Sequence, residues 1–139
     1  MSITMSFANI PDKAANVLLD GIKGENLNDE DLLRIHSLFG KQAFEALNLL
    51  EEGAVVKITS PSGRFIYKVN QRGVSYYCSR SGHFCACMKG ESIQTSPFGR
   101  SWCPHLLAVA LSDAISKTQT KTISDQAITH AVEMLFKIS

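Results

Sequence analysis

Three of the four cysteines and one of the four histidines fall into two short pairs. Cys85-x-Cys87 is followed, fifteen residues later, by Cys103-x-His105. Thiolate sulfur and imidazole nitrogen are the donors that tetrahedral zinc prefers. A Cys-x-Cys pair at a tight strand end can present both sulfurs to one side. A helix start can supply the other two donors, with His105 in the first turn pointing back towards the first pair. The spacing is unlike the double CxxC ribbon or the Cys2His2 finger. The competing reading is four buried or free thiols without a metal. If all four donors bind one ion, no position is left for water or substrate. The metal then reads as one structural zinc that contributes folding energy, ~10–16 kcal/mol in small zinc domains, and not as a catalyst.

Two neighbours of this set call for a reading of their own. Cys78 alternates with Tyr76 along a strand-like segment and reads as a core residue. His83 precedes the first pair by two residues. It reads as exposed, the alternative being an outer donor to a cysteine sulfur. His36 and His130 lie on helical segments and receive no role. The sequence has no glycine-rich phosphate loop and no Gly-x-Ser-x-Gly elbow. A thiol enzyme would need a reactive cysteine outside the metal set, and only Cys78 is left for that.

The chain has 139 residues, 45% hydrophobic and 19% charged, the size and composition of one soluble domain. No stretch approaches the ~20 apolar residues that cross a bilayer, so no membrane partner is expected. Met1 to Ile10 carries no basic residue ahead of its apolar ones and does not read as a secretory signal. Cysteines clustered in a reducing compartment point to metal or catalysis more than to disulfides. The net charge of +1 is segregated, with −5 over residues 1–53, +6 over 54–102 and zero over 103–139. The basic middle could face a polyanion, or the acidic first third could cover it. Arg64, Lys68, Arg72 and Arg80 interleave with Phe65, Tyr67, Tyr76, Tyr77 and Phe84. That mixture is either a set of nucleic-acid contacts or an ordinary sheet with one buried aromatic face.

These side chains need elements to carry them. Apolar spacing predicts a helix over Pro11–Ile22, a second from an Asn28 cap to Phe39, and a third over Gln42–Glu52, with Gly40 as a stop or kink. Ala54–Ser60, Arg64–Asn70 and Val74–Ser79 read as strands separated by Pro61-Ser62-Gly63 and Gln71-Arg72-Gly73 turns. The expected fold is α+β: a small three-stranded antiparallel sheet with the metal knuckle, Gly82 to Cys87, flanked by N- and C-terminal helices. An irregular loop is expected over Met88–Trp102. A helix from Pro104 to about Lys117 follows, then a polar link over Thr118–Thr122 and a last helix capped by Ser124. This organises the chain as an N-terminal helical region over 1–53, the meander and finger over 54–117, and the link and last helix over 118–139, all in one compact unit.

The pattern Cys85-x-Cys87…Cys103-x-His105-x-x-Ala108 resembles the SWIM zinc-finger signature. Within that class the chain is similar to the small SWIM proteins of the Shu complex. The similarity extends to Leu38-Phe39-Gly40, Ala46-Leu47, Ser60-Pro61-Ser62-Gly63-Arg64 with Tyr67 and Val69, and His105-Leu106-Leu107-Ala108-Val109, covering roughly residues 30 to 130. The resemblance implies the four zinc ligands and a structural role for Ala108, whose small side chain lets its helix pack on the finger. It also implies a nuclear protein that pairs with a RecA-like recombinase paralogue. That complex promotes recombinase assembly on single-stranded DNA in break repair and meiosis, with DNA reached through the complex. Pro104 departs from the family, where a basic residue is frequent. The alternative is an autonomous SWIM-type nucleic-acid-binding finger.

Overall fold

The computed structural model describes residues 9–22, 24–88 and 100–136. The expected loop over Met88–Trp102 lies mostly outside them. A two-residue strand β1 (Asn9–Ile10) leads into three helices, α1 (Asp12–Asp20), α2 (Asp29–Phe39) and α3 (Lys41–Glu51). The start of α2 is locked by a reciprocal cap. Asn28 Oδ1 accepts from the Asp31 N–H at 2.7 Å, and the Asn28 N–H donates back to Asp31 Oδ2 at 3.1 Å. This satisfies two donors that a helix start leaves orphaned and explains how the Asp31 side chain can be buried. Gly40 ends α2 and begins α3 with φ 60° and ψ −128°, a region that a residue with a Cβ adopts only under strain.

The expected meander is present as β2 (Val55–Thr59), β3 (Phe65–Gln71) and β4 (Val74–Ser79). The sheet is larger than expected, however. It has five strands, because β5 (Phe84–Cys85) pairs with β4 and β7 (Gln119–Thr122) pairs with β2. The order is β5-β4-β3-β2-β7, with only the β2–β7 pair parallel. Both additions have physical reasons for being hard to read. β5 is two residues long and sits inside the knuckle. β7, expected as a link, is a polar edge strand whose four residues are all exposed. Its backbone carries the pairing, so no apolar alternation marks it. A short strand β6 (Arg100–Ser101) pairs with β1.

One face of the sheet, with Val55, Tyr67, Val69, Cys78 and Cys85, packs into the main core with helix α4 (Pro104–Ala114), against which α1 and α3 also lie. Residues 104 to 112 of α4 are all buried, as a helix apolar on every side must be. The other face places Ile58 and Ile66 against Ile128 and Leu135 of α5 (Asp125–Phe136). The Ser60–Arg64 turn fastens that helix. The Ser62 N–H donates to Asp125 Oδ1 at 3.0 Å and Arg64 Nη2 donates to the Asp125 carbonyl at 2.9 Å. The Ser62 and Ser60 hydroxyls and the Ser62 N–H hold the Asp125 carboxyl below its ordinary range.

Gly40→Ala should lower stability by about 1–3 kcal/mol through backbone strain alone, since a Cβ there meets no neighbour within 4 Å. Urea denaturation checks this, and an unchanged midpoint would remove the strain argument.

Candidate metal centre

The hairpin between β4 and β5 brings the first two sulfurs into place. The His83 N–H closes the turn on the Arg80 carbonyl at 3.1 Å, and His83 itself has φ 51°. Cys85 then sits directly opposite Cys78 in antiparallel register, so both side chains point to the α4 face. A 3₁₀ turn over Ala86–Met88 reverses the chain and carries Cys87 round to the same side. From the other direction, Cys103 is the N-cap of α4, with Pro104 in the first turn and His105 next to it. The Cys103 sulfur accepts the Leu106 N–H at 3.3 Å. One side chain thus caps the helix and faces the cluster.

The three Sγ atoms and a His105 ring nitrogen all lie within 4.8 Å of one another. Cys85 Sγ is 3.5 Å from His105 Nδ1. A zinc tetrahedron with Zn–S ~2.3 Å and Zn–N ~2.0–2.1 Å has S···N edges of about 3.5–3.6 Å. The donor chemistry and this edge both fit such an ion, so these four residues could hold a metal. Cys85, Cys103 and His105 are buried and Cys87 is half-buried.

His105 is oriented from outside. Its Nε2 faces Gln71 Oε1 at 2.8 Å, which leaves Nδ1 for the cluster. Tyr76 stacks on the ring with centroids 4.2 Å apart. Partners of this kind fix the ring of a ligating histidine. Sequence reading missed both roles. Their signal was the Gln71-Arg72-Gly73 turn, where positive φ at Arg72 and Gly73 makes a tight two-residue hairpin and returns Tyr76 beside Val69 and close to Gln71. His83 was expected to be exposed. It is half-buried, because the left-handed turn directs its ring edge-on to Trp102 at 4.6 Å. Trp102 packs in turn on Phe39 at 5.4 Å, which braces the residue before Cys103.

Cys78 is fully buried, as a core residue should be, and its Sγ lies 3.2 Å from that of Cys85. Ala108 is also fully buried, one turn beyond His105. The four basic residues do not converge. Arg64 and Arg72 stand at opposite ends of β3, ~25 Å apart at strand rise. Arg64 reaches Asp125 and Arg80 reaches Asp113 at 3.1 Å. Lys68 faces the α5 side, opposite Tyr77. Neither arginine pair involves the acidic first third of the chain. Asp113 also accepts from Tyr67 Oη at 2.5 Å and Thr118 Oγ1 at 2.7 Å. Burial first, and then Asp113, push the Tyr67 hydroxyl above its usual range. Among the described residues no helix is long and apolar enough to cross a membrane.

The crowded sulfurs share charge unevenly. Hydrogen bonding to Cys103 pushes the Cys85 and Cys87 thiols up. Burial opposes ionisation of Cys103, but Cys85, Cys87, His105 and the Leu106 N–H outweigh it and hold that thiol well below its usual range. A metal takes these sulfurs as thiolates, so its uptake releases protons and its apparent affinity should fall as pH drops. Chelator competition between pH 6 and 8 measures this, and a flat profile would exclude the sulfurs as ligands. Ala108→Thr should cost about 1–3 kcal/mol by overpacking with metal uptake retained. Chemical denaturation and elemental analysis read the two quantities separately, and wild-type stability would refute the packing role.

No family model matches the chain, and no solved structure matches it. Three curated proteins do, each named zinc finger SWIM domain-containing protein 7. The one from Mus musculus is 36% identical over 102 residues, 73% of this chain and 67% of that protein. Those from Homo sapiens and Danio rerio are 36% and 35% identical over 107 residues, 76% of each chain. Kinship at this level over two thirds or more of each partner, together with the clustered Cys85, Cys87, Cys103 and His105, places the chain in the zinc finger SWIM domain-containing protein 7 family.

Proposed function

We propose that this chain is a binding subunit built around one structural zinc ion, not an enzyme. In this reading it works in the nucleus within a Shu-type complex, paired with a RecA-like recombinase paralogue. Through that pair it promotes assembly of the recombinase on single-stranded DNA in homologous-recombination repair and meiosis. The observation that carries the reading is membership of the SWIM protein 7 family with all four signature ligands in one cluster. Four protein donors around one ion leave it no open position, which suits a scaffold and not a hydrolytic centre. The scattered basic residues speak against a lone nucleic-acid finger, which needs a continuous electropositive track.

The N-terminal helices offer the apolar surface that a partner would cover. A groove of about 530 Å³ between α1 and α2 is lined by Ala14, Val17, Leu18 and Leu38, with Lys13 and Arg34 its charged lining among the described residues. Val17 is 65% exposed. An amphipathic helix of the paralogue, laying its apolar stripe on this lining, is the kind of partner such a groove takes.

Co-expression with the organism's RecA-like paralogues, followed by pull-down and elemental analysis, tests the reading. A stoichiometric complex with one zinc per chain is the expected result. A zinc-loaded chain that ignores every paralogue yet binds single-stranded DNA would overturn it in favour of an autonomous finger. Val17→Asp should abolish capture with zinc content unchanged, while Met134→Asp, at an exposed apolar position on α5, should not. Cys87→Ser or His105→Ala should lose zinc and unfold the finger.

A further inference from the structure

The metal cluster has a fourth sulfur beside its own three. Cys78 is not one of the four donors, yet it is fully buried with its Sγ 3.2 Å from the Cys85 sulfur. The two residues are directly opposed on β4 and β5. Opposed antiparallel residues have Cα atoms ~4.5–5.5 Å apart, inside the range that a disulfide spans without backbone movement. A bond between these two sulfurs would remove one donor from the cluster and leave Cys87, Cys103 and His105 untouched.

We infer that Cys78 and Cys85 form a built-in oxidation site, in which a hydroperoxide converts the metal centre to a Cys78–Cys85 disulfide and releases the ion. The proposal rests on the zinc reading above. Entry is through Cys87, the half-buried sulfur of the set. Its thiolate attacks the peroxide O–O bond, giving a sulfenic acid and hydroxide, which takes a proton from solvent to become the first water. The Cys85 thiolate then displaces hydroxide from that sulfur, forming a Cys85–Cys87 bond. Cys78 attacks the Cys85 sulfur and Cys87 leaves as thiolate, while the Cys78 proton passes to the hydroxide. The sum is one thiol (Cys78), one thiolate (Cys85), one hydrogen peroxide and one proton from solvent to one disulfide and two waters. The exchange runs towards Cys78 because a bridge across a single residue closes a small strained ring, whereas the cross-strand pair is already aligned. Reduction by a dithiol returns both thiols and with them the fourth metal donor.

The sequence makes the test direct. Trypsin cuts after Arg72, Arg80, Lys89 and Arg100, so Cys78 falls in peptide 73–80, Cys85 and Cys87 in 81–89, and Cys103 in 101–117. Zinc-loaded full-length protein is treated with hydrogen peroxide, alkylated and digested without reduction, while a chromophoric chelator follows metal release. The expected product is peptide 73–80 joined to 81–89, appearing in step with zinc loss, and dithiothreitol with added zinc restores the loaded form. In Cys78→Ser the ion is still bound before oxidation, but the products are the internal 81–89 bridge, which dithiothreitol reopens, and over-oxidised cysteine, which it does not, so zinc rebinding after dithiothreitol falls below that of the wild type. Oxidised wild-type protein that has lost zinc but carries alkylated, unbridged Cys78 overturns the proposal. Protein that contains no metal before treatment overturns the zinc reading instead, and the two failures are distinct. Should Cys78→Ser fail to fold, the wild-type peptide map alone decides.

Discussion

The sulfur of Cys103 serves two structures at once. It accepts the Leu106 N–H at the start of α4 and it stands in the metal cluster. A helix that is apolar on all sides needs its end groups satisfied inside the protein, because no water reaches them. Here the cap is a metal ligand, so the helix that fills the core and the cluster that closes the finger share one atom. Movement of α4 along its axis would shift Cys103 and His105 together. Loss of the cluster would leave a buried helix start without a firmly held acceptor.

From that junction the rest of the molecule follows outward. His105 is steadied by Gln71 and Tyr76, both supplied by the β3–β4 hairpin. Asp113, near the other end of α4, gathers Tyr67, Arg80 and Thr118. The helix is thereby tied to the sheet at both ends, by imidazole and thiol at one and by a carboxylate at the other. The N-terminal helices close over its back, and among the described residues the groove between α1 and α2 is lined mainly by apolar side chains.

How much of this was legible depended on where the information sits. The four donors were readable because thiol and imidazole at fixed spacing have few other uses. Helices α1 to α4 and the three central strands were readable because their apolar periodicity reports burial. What escaped was carried by backbone or by tertiary proximity. β7 is paired through its main chain and exposes every side chain, so Gln119–Thr122 looked like a link. His83 looked exposed until a positive φ, invisible in the sequence, turned it onto Trp102. For Arg64 and Arg80 the sequence left two readings open, contacts for a polyanion or ordinary sheet residues, and what it did not show is that each has an acidic partner more than thirty positions away. Gln71 resembled an ordinary turn residue until the hairpin set it against His105.

The parallel pairing of β2 with β7 has a consequence for how the chain is made. Thr59 meets Thr122, 63 positions later, and the Ile123 N–H reaches back to the Thr59 carbonyl. Every metal donor lies between these two partners in the chain. During synthesis all four donors and α4 emerge before the strand that completes the sheet edge. Until the last helix arrives, Ile58 and Ile66 face water and β2 presents an open edge. The nascent chain therefore has its metal-binding residues first and its outer seal last, and a ribosome that stops short of β7 yields a finger with an adhesive flank.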